Sequence, residues 1–325
     1  MNMRQHYLPI GALVLLAFIP FLRPGDFLLG VLIMTLLYAY MGQAWNILGG
    51  FCGQFSVGHC AFFGVSAYAV TILYHFFGIH PLVGALVGVL AAVFLAFIIG
   101  FISLQLSGIY FSMATVALAE ILRSLSLFFR EVTFGTLGMS LPVKFSLGKE
   151  QYFYIALMLV VVGYIISAAV RQSRYGTFMV AIRENEDRAL SLGIKSSRYK
   201  VLAAVISAAM TALGGAFYAL YVLMVEPSAA FSFLVSIKII IVVVIAGMGT
   251  LAGPLLGAFI AIVPDEIIRS WLGGSYAGMA GIIYGAVLVI VVKIKPEGVL
   301  GFLSRSRRPD LAAAAAKGGE TRGTP

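Results

Sequence analysis

A glycine-rich stretch at residues 49–59 contains the side chains whose types and spacing are best suited to handling a polar molecule. Glycines break helices, and in apolar surroundings the freed backbone groups must be satisfied by protein or by a water-filled cavity. Many transporters build a substrate site beside such a broken helix, although small residues also let two helices pack closely. Both interpretations are open in the sequence, and they give five candidate pathway residues: Gly53, Gln54, Ser56, Gly58 and His59.

Charged residues within apolar runs are a second kind of functional candidate. Glu120 and Arg123 are three residues apart, so they can pair on one face of a helix. Lys238 is followed and preceded by isoleucines. A charge inside a membrane-spanning segment is costly and marks a functional site by default. Glu120 and Lys238 are therefore predicted to line the pathway, with snorkelling of Lys238 toward the lipid headgroups as the alternative.

The most hydrophilic stretch between apolar runs, residues 173–194, is expected to bind a partner. Its apolar residues recur at helical spacing, which predicts a short amphipathic helix, and Gly193 fits the position after a helix C-terminus. The helix carries charges of both signs. A protein partner is favoured over a lipid surface, because a lipid-binding helix would be mainly basic.

Catalytic and metal-binding patterns are not recognisable in the sequence. No phosphate-binding G-x-x-x-x-G-K-[ST] loop occurs, so the chain is not expected to be an ATPase. The four histidines and two cysteines show no metal-ligand spacing, and no Ser/His/Asp set can be assigned. We therefore expect a protein that is not an enzyme and that binds no cofactor itself.

The composition places these residues in a membrane protein. The chain is 61% hydrophobic and 11% charged, against about 25% charged for an ordinary soluble domain. The sequence predicts an all-α, polytopic transmembrane bundle with Gly-rich broken helices and about ten spans: 7–22, 27–48, 58–78, 82–103, 107–129, 151–170, 199–223, 233–247, 252–269 and 276–293. The runs 233–247 and 252–269 are joined by a second glycine-rich stretch, 247–254, and form either two spans or one interrupted helix.

The basic residues predict the orientation of the bundle. They cluster at residues 171–200 and after residue 292, and such clusters are typical of cytoplasmic loops. Both termini are then cytoplasmic, and the loop 130–150 lies outside. The net charge of +9 reflects this pattern and not nucleic-acid binding. We expect a transmembrane domain at 1–303, with a cytoplasmic loop at 171–198, followed by a disordered cytoplasmic tail at 304–325.

Five motifs occur along the chain in this order: Gly53-Gln54-Phe55-Ser56-Val57-Gly58-His59, Gly108-Ile109-Tyr110-Phe111-Ser112, Ala181-Ile182-Arg183-Glu184-Asn185-Glu186, Gly247-Met248-Gly249-Thr250 and Lys295-Pro296-Glu297-Gly298. In this order they resemble the permease subunit of branched-chain amino-acid ABC importers, the LivM-type family. The resemblance extends from about Leu36 to Leu303. The chain departs from the family pattern at Phe134 and Leu137, where glycine and a polar residue are usual, and at Lys238, where family members are usually apolar or acidic.

The resemblance implies a transport role and a set of partners. The chain would be a multi-pass protein of the bacterial inner membrane that contacts lipid and pairs with a second homologous permease. Two ATP-binding subunits would bind ATP and Mg, and an extracytoplasmic protein would deliver the substrate. Branched-chain or hydrophobic amino acids are the expected substrates; urea or short amides, or an ATP-independent channel or secondary transporter, are the alternatives. ATPase coupling would fall to Ala181, Arg183, Glu184, Asn185, Glu186, Arg188 and Gly193.

Overall fold

Helices form almost all the regular structure in the computed structural model, which describes residues 11, 13–22, 24–102, 108–142, 147–272 and 285. In chain order the helices are α1 (Asp26–Trp45), α2 (His59–Phe77), α3 (Pro81–Ile102), α4 (Ile109–Phe128), α5 (Arg130–Thr133), α6 (Lys149–Gln172), α7 (Arg174–Glu184), α8 (Glu186–Ser191), α9 (Ser196–Val222), α10 (Pro227–Ala230), α11 (Phe233–Ala246) and α12 (Gly253–Leu272). Short 3₁₀ turns occupy Ile19–Leu22 and Gly135–Leu137.

Seven stretches of the described chain are helical, long and apolar enough to cross a membrane. They comprise α2, α3, α4, α6, α9, α1 with its continuation to Phe51, and α10 together with α11. The predicted runs 233–247 and 252–269 form two separate helices, α11 and α12. The predicted run 276–293 and the tail 304–325 lie outside the described residues, as does the start of the run 7–22.

A pair of two-residue strands interrupts the otherwise helical architecture. Strand β1 (Met139–Ser140) pairs antiparallel with β2 (Met224–Val225), with Met139 opposite Val225. The strands join the loop before α6 to the segment that follows α9. Phe134, in the same loop, has a φ of 59°, a left-handed conformation that glycine adopts without a steric penalty. A phenylalanine therefore stands where the backbone conformation favours glycine.

The two ends of the bundle carry different loops. We call the end with residues 173–195 the basic end and the end with residues 129–142 the opposite end. Helix α6 connects them, and its 24 residues rise about 36 Å at 1.5 Å per residue. A hydrocarbon core is about 30 Å thick. The two loops are therefore separated as the sequence predicts.

Helix α1 is the centre of the bundle. It contacts α6, α9, α11 and α12, and most of its side chains from Leu29 to Trp45 are buried. Helices α3 and α4 are instead mostly exposed, and their outward side chains include large apolar ones such as Leu90, Phe94 and Ile121. An apolar surface of this extent fits lipid or another membrane subunit.

Candidate functional site

The first glycine-rich stretch breaks the chain between α1 and α2. Helix α1 continues as a π-helix, Asn46–Phe51, and residues 53–58 are not helical before α2 begins at His59. Gly53 has a φ of 76°. Short π-helical segments occur often at functional sites. The sequence therefore predicts the broken helix correctly, and the structure shows that the break covers residues 46–58. We call these residues the first break.

Side chains from neighbouring helices satisfy the backbone of the first break. The indole Nε1 of Trp45 donates to the carbonyl of Ser56 at 2.7 Å. On α4, the Ser112 hydroxyl donates to the carbonyl of Phe55 at 2.5 Å, and the Thr115 hydroxyl accepts from the amide of Val57 at 3.1 Å. These three backbone groups of the irregular segment are thus satisfied by protein side chains, as required where no lipid can supply hydrogen bonds.

His59 is fully buried within a neutral polar network. Its Nδ1 lies 3.2 Å from the Ser56 hydroxyl, and its Nε2 lies 2.8 Å from the hydroxyl of Ser207 on α9. A neutral imidazole carries one donor and one acceptor, so it can bond both serines, which can each donate or accept. The network joins the first break to α9, and in this conformation His59 faces no open space.

Gly58 approaches α4 too closely to tolerate a side chain. A Cβ placed on Gly58 would collide with the backbone carbonyl of Thr115. The φ of Gly58 is −98°, which any residue can adopt, so the requirement is space and not conformation. Of the two interpretations, close packing is the one this contact favours. Gln54 is half-buried, and its backbone N–H donates to the carbonyl of Leu48 at 3.1 Å.

The second glycine-rich stretch contacts the first. The Nδ2 of Asn46 donates to the carbonyl of Thr250, and its Oδ1 accepts from the amide of Gly249, both at 2.8 Å. One side chain therefore satisfies two backbone groups of the loop between α11 and α12. Sequence reasoning missed Asn46, although an amide side chain in an apolar run just before two glycines was a usable signal.

The predicted amphipathic helix is two helices. Asn185 separates α7 from α8, because its side chain accepts from the amide of Arg188 at 2.9 Å and so caps α8. Gly193 has a φ of 80°, and its amide donates to the carbonyl of Leu190. The C-terminal role predicted for Gly193 is confirmed. We call residues 181–193 the coupling segment.

The coupling segment presents a mixed surface at the basic end. The exposed residues on it include both charged side chains and two leucines, Leu190 and Leu192, the latter 80% exposed. Ala181 is half-buried, and Ala189 is buried. The exposed surface of the segment therefore combines apolar side chains with charges of both signs. The charged and polar exposed residues are Arg183, Glu184, Asn185, Asp187, Arg188 and Ser191.

An ion pair joins the coupling segment to α9. The Nζ of Lys200, which is 8% exposed, lies 2.6 Å from Oε1 of Glu186. Burial raises the pKa of Glu186, but hydrogen bonds from Lys200 and Ser196 outweigh it, so the pKa is below its usual range. The pair is therefore charged at neutral pH, and its contribution is lost as the pH falls through that lowered pKa. From the sequence, Lys200 is recognised only as a member of the basic cluster at residues 171–200, and its pairing with Glu186 is not predicted.

Lys238 is paired inside the bundle and is not part of the first break. Its Nζ lies 2.5 Å from Oδ2 of Asp265 on α12 and 5.7 Å from the ring centre of Tyr38 on α1. The Lys238 and Asp265 side chains are 13% and 4% exposed. Ser236, two residues earlier on α11, instead accepts from the amide of Cys60 on α2 at 2.9 Å. In this structure Lys238 is paired with Asp265 inside the bundle and does not snorkel.

Glu120 lies on an outward face of α4. It pairs with Arg123 at 2.5 Å, and its side chain is 57% exposed. This ion pair stands on a helix that is otherwise uncharged and mostly exposed, where contact with lipid tails would be costly. Within the described ranges, no three metal-ligating side chains come together. Glu120 shares this exposed face of α4 with Ala117, Ile121, Ser124, Leu125 and Phe128.

Comparisons with known sequences identify a family of transport proteins. The sequence profile of the family described as "Branched-chain amino acid transport system / permease component" matches residues 27–292. A high-affinity branched-chain amino acid transport system permease protein LivM from Salmonella typhimurium strain LT2 is 28% identical over 301 residues, covering 82% of this chain and 68% of the relative. The protein of the same name from Escherichia coli strain K12 is 27% identical over the same shares.

A more distant relative is archaeal. The probable branched-chain amino acid transport permease protein LivM of Methanocaldococcus jannaschii is 22% identical over 258 residues, which cover 72% of this chain and 74% of that protein. No solved structure matches the chain at a comparable level of significance. The relatives are all named as permease proteins of transport systems, and none is named as an enzyme.

Proposed function

This chain belongs to the branched-chain amino acid transport permease family, and from that membership we propose that it is the membrane-spanning permease subunit of an ATP-driven importer. Its substrates are branched-chain or similar hydrophobic amino acids. The chain is a multi-pass protein of the bacterial inner membrane with both termini in the cytoplasm. It binds no cofactor itself, since ATP and Mg are bound by separate subunits.

The coupling segment is the observation that carries this proposal. A self-contained channel has no use for a protein-binding surface on two short helices between spans, whereas a permease driven by a separate ATPase requires one. The segment is capped by Asn185 and tied to α9 through Glu186. Both contacts hold its exposed leucines in a defined position at the basic end. We assign the binding of the ATP-hydrolysing subunits to this surface.

The α4 face around Glu120 supports a second permease subunit. A charged pair on an exposed spanning helix is better accommodated in a water-filled path or against another subunit than in lipid. With Arg123 and Ser124 on the same face, α4 would contribute half of a polar path whose other half comes from the homologous partner. An extracytoplasmic binding protein would deliver substrate at the opposite end, where β1 and β2 lie.

Reconstitution tests the proposal directly. The chain is purified from its native membrane with its associated subunits and placed in vesicles with the binding protein outside and ATP or a non-hydrolysable analogue inside. We expect uptake of radiolabelled leucine only with hydrolysable ATP, and recovery of two ATP-binding subunits per complex. Uptake of leucine without ATP would contradict the proposal, and uptake of urea in place of leucine would reassign the substrate.

A further inference from the structure

One arginine of the coupling segment is enclosed by glycines from both glycine-rich stretches. Arg183 Nη1 donates to the carbonyl of Gly50 at 2.6 Å. A Cβ on Gly249 would lie 2.5 Å from the same nitrogen, and a Cβ on Gly53 would lie 2.8 Å from Arg183 Cγ. Side chains at these glycines would therefore displace the arginine.

The carbonyl that Arg183 binds belongs to a helix end. Gly50 lies in the last turn of the π-helical continuation of α1, where carbonyls lack partners within the helix. A cation is favourable at a helix C-terminus, where the backbone dipoles leave partial negative charge. Arg183 thus supplies both a hydrogen bond and a positive charge at the point where α1 stops being regular.

The other arm of the same guanidinium points to the exposed surface. Arg183 Nη2 lies 2.7 Å from Oε1 of Glu184, and the hydrogen bond holds the pKa of that carboxyl below its usual range. Glu184 is the last residue of α7, directly before the cap at Asn185. The planar guanidinium therefore spans from the ATPase-facing surface to the interior of the first break.

Asn46 extends this connection to the second glycine-rich stretch. Its two hydrogen bonds hold the backbone of Gly249 and Thr250, and Gly249 is also a neighbour of the arginine. Arg183 and Asn46 consequently contact the same loop from two sides. A displacement of α7 that pulled the guanidinium would act on both glycine-rich stretches at once.

We propose that Arg183 is the positioning residue through which movement of the coupling segment reaches the first break and the loop between α11 and α12. This rests on the proposed function, since the movement originates in ATPase subunits bound to that segment. Arg183 is exposed on the coupling segment, yet its Nη1 reaches the buried Gly50 of the first break, so one side chain joins the surface to the break. The residue need not touch substrate.

Three variants of the full complex in vesicles test the role. Arg183→Met keeps the aliphatic part of the side chain and removes both guanidinium contacts, to Gly50 and to Glu184. Arg183→Lys keeps one charged donor for the Gly50 carbonyl. Arg174→Met is the matched control, because Arg174 is an exposed arginine at the start of α7, outside the coupling segment. Each sample is measured for ATPase subunits recovered with the chain, for ATP hydrolysis and for leucine uptake.

We expect uptake per ATP hydrolysed, measured on the complexes that assemble, to fall about tenfold in Arg183→Met, a loss within the usual range of coupling between sites. Arg183→Lys should recover part of that ratio, and Arg174→Met should keep it. An unchanged ratio in Arg183→Met would overturn the proposal. So would a parallel fall of assembly, hydrolysis and uptake in both Arg183 variants, which indicates a purely structural cap. If the wild type itself takes up leucine without ATP, the proposed function fails instead.

Discussion

Two buried arrangements inside the bundle satisfy polar side chains in apolar surroundings, one with neutral groups and one with charges. The Ser56–His59–Ser207 network uses neutral groups, and its members are bonded to one another across the first break and α9. The Lys238–Asp265 pair uses full charges between α11 and α12. A neutral group that loses its partner leaves an unmade hydrogen bond, whereas a charge that loses its partner leaves an ion in a medium of low polarity.

This difference indicates separate roles for two residues that the sequence assigns to one pathway. Both His59 and Lys238 are predicted from sequence to line the pathway. Asp265 neutralises the charge of Lys238, and Arg269 lies 3.8 Å from the same carboxylate. These ion pairs explain how a lysine is accommodated inside the bundle without a substrate. The neutral network lies beside irregular backbone and can exchange hydrogen-bond partners at a smaller cost. We therefore keep the pathway hypothesis for the first break and interpret Lys238 as a residue that holds α11 against α12.

Breaking the ion pair is expected to have the largest effect. Lys238→Met leaves the buried Asp265 with Arg269, at 3.8 Å, as its remaining ionic partner, and the loss of one member of a buried pair destabilises by up to about 3–5 kcal/mol. Less folded protein should be recovered in detergent, with a lower midpoint of thermal unfolding. Lys238→Met combined with Asp265→Leu should restore most of the stability and transport. A folded double variant that cannot transport would return Lys238 to the pathway.

Removing the imidazole is expected to have an intermediate effect. His59→Phe leaves the buried Ser56 and Ser207 hydroxyls without this partner, and an unsatisfied buried group costs about 1–3 kcal/mol. His59→Gln retains one donor and one acceptor, so it should remain closer to wild type in thermal stability and in leucine uptake. If His59→Gln folds normally but does not transport, a titrating imidazole and not its hydrogen bonding is required.

Adding a single methyl group at the first break is the smallest change. Gly58→Ala forces α4 away from the Thr115 carbonyl, and overpacking of this kind typically costs about 1–3 kcal/mol. Gly30→Ala on α1 is the matched control, because a Cβ there makes only an ordinary contact at 3.5 Å with the Tyr221 hydroxyl. We expect a lower unfolding temperature for the first variant only. A Gly58→Ala protein of normal stability without uptake would favour the pathway interpretation over packing.

The sequence alone predicts the helical, membrane-spanning class of fold and the position of the first break. Hydrophobic runs give the spans because backbone groups in lipid must bond within their own helix, and glycines mark the first break for the same reason. The mixed charges of the coupling segment predict a partner surface. These signals are local, and each can be recognised within about twenty neighbouring residues, the length of one span.

The contacts that define the site could not be predicted in this way. Asp265 as the partner of Lys238, and Glu186 as the partner of Lys200, depend on which helices are neighbours and on their rotation. The contact between the two glycine-rich stretches joins residues about 200 positions apart, and it passes through Asn46. The helix break at Asn185 was missed because the apolar periodicity continues across it, while the side-chain cap that causes it is a hydrogen bond.

Helix α9 is a long helix with contacts at both ends and in the middle of the bundle. Its 27 residues form one uninterrupted rod about 40 Å long at 1.5 Å per residue. Lys200 attaches the rod to the coupling segment near one end, Ser207 attaches it to His59 near the middle, and β2 follows the other end. A tilt of about 5° around the middle would carry each end about 2 Å in opposite directions for a rod of this length. Motion imposed at the basic end would thereby reach the opposite end without any helix in between having to bend.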